Sequence, residues 1–194
     1  MAATMQIFMD TGGTDDNPAS EDRVDAIGLR FKSNDNITID TADPIVVPTA
    51  GTNYSYWKAI YLKMTAADST KVNGVEFYSD GTISYGTGLT LMVGDETPDK
   101  NSGSNAGYEV ATGTSGTTGD EMVAAVADLT GSTTAADLTT AAPLSVTISE
   151  TSTQMDATNE TSDYVYLQVN VATTAGAGLS ASETLTFRYD EAPA

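Results

Sequence analysis

Carboxylates are the most numerous reactive side chains of this sequence, and they are concentrated in segments that contain few apolar residues. The groups are Asp15, Asp16, Glu21 and Asp22; Asp95, Glu96 and Asp99; and Asp156, Glu160 and Asp163. A pair of carboxylates can hydrolyse a glycosidic bond, and loop oxygens of this kind can bind calcium. No stretch has the spacing of an EF-hand, so calcium is a candidate ligand without an assigned site. Solvated loops are the simpler interpretation of all three groups.

Most other catalytic chemistry is excluded by composition. The chain has no His and no Cys, which rules out a Ser-His-Asp triad, a Cys-His dyad, a thiolate metal site and disulfides. Its glycine-rich stretches lack the Lys-Ser/Thr pair of a phosphate-binding loop. A Ser-Lys nucleophile would need a buried lysine, whereas the long stems of Lys58 and Lys63 are expected to reach water. The sequence therefore predicts a protein that is not an enzyme and needs no cofactor.

Aromatic residues supply a weaker candidate site, because Tyr54, Tyr56, Trp57 and Tyr61 are close together in the sequence. In a strand, Trp57 and Tyr61 lie on one face together with Ala59. Such a pair can form a platform that binds a glycan or a partner protein. The alternative interpretation is that the four rings are divided between the core and an interface.

The charge balance narrows the range of partners. There are 8 Lys and Arg against 27 Asp and Glu, for a formal net charge of -19. A surface of that sign repels nucleic acid phosphates and anionic lipid, so we expect neither nucleic acid nor membrane as a partner. The N-terminus lacks the basic and apolar regions of a secretory signal peptide. These features predict synthesis in the cytoplasm and export only within a larger particle.

The elements that would position these side chains are mainly strands. Alternating apolar residues predict strands at 4–10, 23–31, 36–40, 55–65, 89–93 and 143–150. Asp80-Gly81 predicts a tight hairpin between residues 75–79 and 82–86, and residues 163–191 read as a second hairpin with a long connection. Both faces of 55–65 carry apolar residues, which is typical of a central strand. In 163–171 the Val and Leu face is expected to be core and the Tyr, Gln and Asn face a surface that meets neighbours.

One segment has helical spacing. Asp120 can cap a helix over 120–131, Met122, Val123 and Val126 share a face, and Gly131 can end it. About eight to ten strands with one short helix predict an all-β fold, an antiparallel β-sandwich of jelly-roll or immunoglobulin-like type. The predicted organisation is an N-terminal arm and loop at 1–22 followed by a single sandwich domain at 23–194.

The order of several segments resembles a known group of proteins. The segments are DPIVVPTAGTNYSYWKAIYLKM, which begins at Asp43, GVEFYSDG, GTGLTLMVG, ATGTSGTTG and DYVYLQVNVATTAGAGLSASETLTFRYDE. The resemblance spans roughly Pro44 to Glu191. They resemble virion-associated β-rich structural proteins of tailed bacteriophages and related prokaryotic viruses. The resemblance rests on segment order and turn chemistry and involves no catalytic signature.

The resemblance implies a non-enzymatic virion structural protein, foremost a capsid decoration or accessory head protein that binds the shell through loops and strand edges. Its implied partners are the major capsid protein, other virion proteins and further copies of itself, and its implied location is the virion, assembled in the host cytoplasm. A neck, tail or fibre component is one alternative. A carbohydrate-binding module that uses Trp57 and Tyr61 is another.

Overall fold

The computed structural model describes residues 2–96, 100, 105, 107–122, 129–148, 153–178 and 180–194. These residues form ten strands and one 3-10 turn at Ala135–Asp137, and they contain no complete α-helix. The strands are β1 Thr4–Thr11, β2 Ser20–Arg23, β3 Thr52–Tyr54, β4 Lys58–Ala66, β5 Thr70–Ser79, β6 Leu89–Glu96, β7 Leu129–Thr134, β8 Leu144–Ser145, β9 Val165–Ala172 and β10 Leu185–Pro193. None of the helical residues in this part of the chain forms a segment long and apolar enough to cross a membrane.

The strands form two antiparallel sheets, which confirms the predicted all-β sandwich. The larger, seven-stranded sheet has the order β2-β1-β4-β9-β6-β7, with β3 also paired to β9. The smaller sheet has the order β10-β5-β8. β9 lies in the middle of the larger sheet because its Val and Leu side chains pack between the sheets, where they are at most 6% exposed.

The larger sheet is buried on both faces. Its inner face packs against the smaller sheet through residues such as Ile60 of β4, Phe77 of β5 and Leu167 of β9. Its outer face carries a second cluster, which we call the aromatic core: Trp57, Ala59, Tyr61, Tyr108, Met122, Tyr164 and Tyr166. Burial on two faces explains why residues 55–65 are apolar on both sides, as predicted for a central strand.

The C-terminal hairpin prediction is wrong, although both of its strands form. β9 belongs to the larger sheet, whereas β10 pairs with β5 in the smaller one, from Leu185 opposite Ser79 to Pro193 opposite Thr70. The connection over 173–184 therefore crosses from one sheet to the other, for which a tight turn is too short. The Tyr and Gln face of β9 is also not a surface, since Tyr164, Tyr166 and Gln168 are at most 1% exposed.

Three shorter predictions also differ from the structure. Of the strand expected at 23–31, only Arg23 lies in a strand, as the last residue of β2. The backbone then turns where the Gly28 N–H donates to the Val24 carbonyl. Residues 36–40 form no strand. No hairpin forms at Asp80-Gly81, because the Asp80 carboxylate accepts the Thr82 N–H in a local turn and residues 82–86 leave the sheet.

The last part of the predicted helix is wrong, because it forms a strand. Leu129 to Gly131 begin strand β7, which pairs with β6 through Thr134 opposite Met92 and Ser132 opposite Gly94. Asp120 and Glu121 are not helical, and residues 123–128 of the expected helix lie outside the described residues. β-Branched residues follow directly at 133 and 134, and pairing with β6 outweighs the modest helix propensity of this segment.

In the described residues 2–22, the predicted N-terminal arm and loop includes two strands of the larger sheet. β1 lies inside the larger sheet between β2 and β4, with Met9 opposite Ile60 and Asp10 opposite Ala59. Met9 and Asp10 are at most 2% exposed. The segment is polar at its loop but apolar through "MQIFM", and burial of that stretch adds it to the sandwich.

Candidate functional site

Trp57 and Tyr61 share one face of the sheet, as the sequence predicts, but they do not form an exposed platform. They are 2% and 0% exposed, and the segment at 107–122 covers them. The Trp57 indole N–H donates to the Glu109 carbonyl at 3.4 Å. Because neither ring reaches the surface, a glycan cannot stack on them, and the sugar-binding alternative loses its site.

Beside the aromatic core lies a buried ionic cluster centred on Lys100. Its ammonium donates to three acceptors: Asp10 Oδ2 at 2.7 Å, Asn105 Oδ1 at 2.7 Å and the Tyr164 hydroxyl at 3.0 Å. The Tyr164 hydroxyl donates in turn to Asp10 at 2.6 Å, and the ammonium lies 4.1 Å from the centre of the Tyr61 ring. All three ammonium protons are therefore used within the protein.

Burial dominates the electrostatics of this cluster. It lowers the pKa of Lys100, although Asp10 opposes the change. Burial, followed by the neighbouring charge of Asp10, raises the pKa values of the Tyr61 and Tyr164 hydroxyls far above the ordinary tyrosine value. The tyrosines thus remain neutral donors in the physiological range. The cluster joins β1, β4 and β9 to residue 100. Its polar groups are hydrogen-bonded to one another and are not exposed to a substrate.

Two further buried lysines, Lys58 and Lys32, hold the irregular segment at 24–47 onto the larger sheet. Lys58 is 1% exposed, donates to the Asn36 carbonyl at 2.9 Å and lies 4.0 Å from Asp35. Lys32, also 1% exposed, pairs with Asp40 at 2.9 Å. Burial lowers the pKa of Lys58 to about 8. The expectation that Lys58 reaches water is wrong, because these backbone and carboxylate oxygens replace water around its ammonium.

Lys58 nevertheless lacks the partner that nucleophilic catalysis needs. Its described contacts are with Asn36 and Asp35, and none is with a serine hydroxyl. Burial raises the pKa of Asp35, whose carboxylate accepts the Gly12 N–H at 2.8 Å. Lys63, the other lysine considered from sequence, ion-pairs with Glu21 near the surface. These contacts fix loops to strands.

The acidic segments do not assemble into a metal site in the described part of the chain, where no three carboxylates come together. Asp16 instead accepts the Gly107 N–H, and Glu160 accepts the N–H groups of Asp156 and Ala157. Asp163 is fully buried and accepts from the Thr147 hydroxyl at 3.0 Å. Asp99 lies outside the described residues. Calcium therefore still has no assigned site.

A mainly apolar cavity of about 1070 Å3 lies between the two sheets in the described part of the chain. The larger sheet contributes Ile7, Ile60, Leu89, Val169 and Val171, and the smaller sheet contributes Phe77, Leu185 and Phe187. The irregular segment at 24–47 and the crossover residues 176–178 and 180–184 complete the lining, and their exposed members form its rim. Leu185 and Phe187 are half-buried rather than buried, although they face the sandwich interior. A cavity of this size and lining can take an apolar ligand.

Sequence reasoning missed both the cavity and the Lys100 cluster. One signal for the cavity was present: Ile27, Leu29, Phe31, Ile39 and Ile45 lie in a Gly- and Pro-containing segment that forms no strand. Apolar residues at that density need something to pack against. Lys100 gave no signal, since a lysine among Pro, Asp, Asn and Gly is typical of a solvated loop.

The comparisons with known proteins found no relative. The chain matches no known protein-family model, no curated protein and no solved structure. Its function must therefore be inferred from the fold, from the two buried ionic clusters and from the apolar cavity.

Proposed function

We propose that this chain is a non-enzymatic structural protein of a viral particle, foremost a capsid decoration or accessory head protein that binds the shell through loops and strand edges. The observation that carries this proposal is the free edge of β10. β10 has nine residues, and its single strand partner in the described chain is β5. Such an edge presents unpaired backbone N–H and C=O groups to which another chain can add a strand.

The edge is free of bulges up to Ala192, and its last residue, Pro193, has no backbone N–H to offer. Arg188 pairs with Glu76 and Asp190 with Asn73, so one more residue separates the paired positions in β5 than in β10. The irregularity therefore lies in β5, where Gly74 has a φ of +57°. A Cβ at Gly74 would lie 2.9 Å from the Asp190 carboxylate, so glycine permits the close approach. β10 itself carries no bulge that would prevent strand addition.

The polar chemistry agrees with a structural role. Lys58, Tyr61 and Tyr164, whose pKa values are strongly shifted, are engaged by internal hydrogen bonds and do not line the cavity. Tyr85 does line it, and burial raises its pKa to about 12, so its hydroxyl stays neutral. The resemblance of Pro44 to Glu191 to virion-associated proteins points the same way. The partners implied are the major capsid protein, other virion proteins and further copies of the chain.

The test is the composition of purified particles, measured by mass spectrometry and electron microscopy. Decoration predicts a copy number comparable with that of the major capsid protein, whereas a neck or tail component predicts the copy number of a single ring. Absence of the protein from purified particles would overturn the virion proposal.

A strand-edge variant tests the mode of attachment separately. Thr186→Lys places a charge on the edge strand, and lysines on edge strands discourage strand addition. We expect fewer copies per particle with an unchanged unfolding temperature. Thr173→Lys, in an exposed turn away from β10, is the matched control. Equal occupancy for both variants would show that β10 is not the contact.

A further inference from the structure

The cavity between the sheets opens to solvent along its rim. Ile27 and Ile39 lie at this opening and are 50% and 48% exposed. The crossover also contributes exposed small residues to the lining, such as Gly176 and Ala181. A narrow apolar molecule could therefore enter from solvent and lie between β9 and β10 without separating the sheets.

Four charged residues line the cavity, and three of them have partners. Asp25 pairs with Arg23 at 2.6 Å, Lys32 pairs with Asp40 at 2.9 Å, and Glu183 accepts the Ser84 N–H at 2.7 Å. The fourth is Arg30, which forms no hydrogen bond or close ion pair within the described part of the chain, although, beside the Lys32 hydrogen bond, its charge helps to lower the pKa of Asp40. A guanidinium with its donors free at the mouth of an apolar cavity is suited to a carboxylate.

The local charge balance also differs from that of the whole protein. The chain carries 27 acidic and 8 basic residues, which would repel an anion from most of the surface. The charged residues of the cavity lining are two acids, Asp25 and Glu183, and two bases, Arg30 and Lys32. The ion-pair partners Arg23 and Asp40 add one charge of each sign, so the opening is close to neutral. An anionic group is therefore not repelled at this opening as it is elsewhere.

We propose that the cavity binds a free long-chain carboxylate, with its alkyl chain between the sheets and its head group paired with Arg30. The apolar lining supplies affinity for the chain, and Arg30 selects the charge of the head group. This inference does not rest on the proposed virion role. It stands or falls on binding by the isolated protein.

The experiment is calorimetric titration of the purified full chain with octanoate, decanoate and dodecanoate below their micelle concentrations. Each buried methylene should raise affinity by about fourfold. Dodecanol and dodecyltrimethylammonium serve as neutral and cationic probes, and both should bind more weakly than dodecanoate. Equal affinity for the three head groups, or no dependence on chain length, would overturn the proposal.

Two pairs of variants locate the site. Arg30→Gln should reduce the affinity for dodecanoate by about fivefold and leave the affinity for dodecanol unchanged. Lys71→Gln, which removes a cation of β5 outside the cavity lining, should change neither.

Ala181→Trp, at the rim, should reduce binding of every probe, whereas Ala50→Trp, exposed and outside the lining, should not. If Ala181→Trp fails to fold, the Arg30 and Lys71 pair still decides the question. Failure of all probes to bind would overturn the ligand proposal, and attachment of the same preparation to particles would show that the virion proposal is unaffected by that failure.

Discussion

Replacing Lys100 with methionine is expected to destabilise the protein by about 3 kcal/mol, because it leaves a buried carboxylate without its cation. The side chains of Lys100 and Asp10 are 4% and 1% exposed, so solvent screens the pair very little. The Tyr164 and Tyr61 hydroxyls still lie 2.6 and 3.1 Å from Asp10 after the change. These two contacts place the cost at the lower end of the range for breaking a buried ion pair, which is roughly 3–5 kcal/mol.

The same reasoning fixes the result of a double-mutant cycle. Asp10→Asn alone leaves the ammonium with Asn105 and Tyr164 and should also cost about 3 kcal/mol. The double variant removes both charges and should cost no more than either single one, giving a coupling energy of about 3 kcal/mol. Coupling of this size requires that the two groups share one desolvated contact, as their 2.7 Å separation shows.

Urea unfolding at neutral pH measures these values, since urea is uncharged and does not screen the pair. The slope of unfolding free energy with urea should not change if the native state stays compact. In thermal unfolding, a loss of about 3 kcal/mol corresponds to roughly 6–12 °C for a domain of this size.

Arg23→Met is the matched control for the cycle, because Arg23 pairs with Asp25 at the surface, with 46% of its side chain exposed. We expect it to cost less than about 1 kcal/mol. If Lys100→Met costs no more than Arg23→Met, the buried cluster does not hold β1 to the rest of the sheet as argued.

Three further predictions use the same unfolding assays. Burial lowers the pKa of Lys58 to about 8, so between this pH and the pKa of an unfolded lysine the unfolded chain binds more protons. Lys58 should contribute a gain of about 1.5 kcal/mol in stability from pH 8 to 9.5, while the buried tyrosines act in the opposite direction; the contribution is measured as the difference between the unmodified chain and Lys58→Met, and a difference that does not change over this pH range would contradict it. Gln168→Met should cost about 2–3 kcal/mol, because Met122 N–H and two backbone carbonyls lose their partner, and an unchanged midpoint would contradict this. Gly113→Ala should lower stability more than Gly116→Ala does. A Cβ at Gly113 would lie 2.5 Å from a backbone oxygen, whereas a Cβ at Gly116 meets nothing within 4 Å. Equal melting temperatures for the two variants would contradict this prediction.

The strands that sequence predicted best are those whose apolar periodicity is strongest. β4, β6 and β9 form close to where alternation places them, because each buries one full apolar face between the sheets. Their partners were not predictable in the same way. β10 pairs with β5, more than 100 positions earlier in the chain. The apolar pattern of a strand shows which face is buried, but it does not show which distant strand will be its neighbour.

The candidate site shows the same division between local and non-local information. Trp57 and Tyr61 lie on one face because strand geometry requires it, and this was predictable. Their burial depends on the segment at 107–122, which is rich in Gly, Thr and Ser and has no apolar pattern that would mark it as a cover. The prediction of an exposed platform was wrong because exposure depends on tertiary packing, which the strand pattern does not reveal.

That cover also accounts for the polar composition of the hidden face of β9. A segment with few large apolar side chains cannot be held by hydrophobic contact alone, and its backbone groups must be paired once they are buried. The sheet supplies those partners: the Tyr166 hydroxyl accepts the Glu109 N–H at 2.8 Å, and Gln168 accepts the Met122 N–H at 2.9 Å and donates to the Asp120 carbonyl at 2.7 Å. Alternation of Val and Leu with Tyr and Gln in β9 thus describes two buried faces, one packed against apolar strands and one hydrogen-bonded to an irregular backbone.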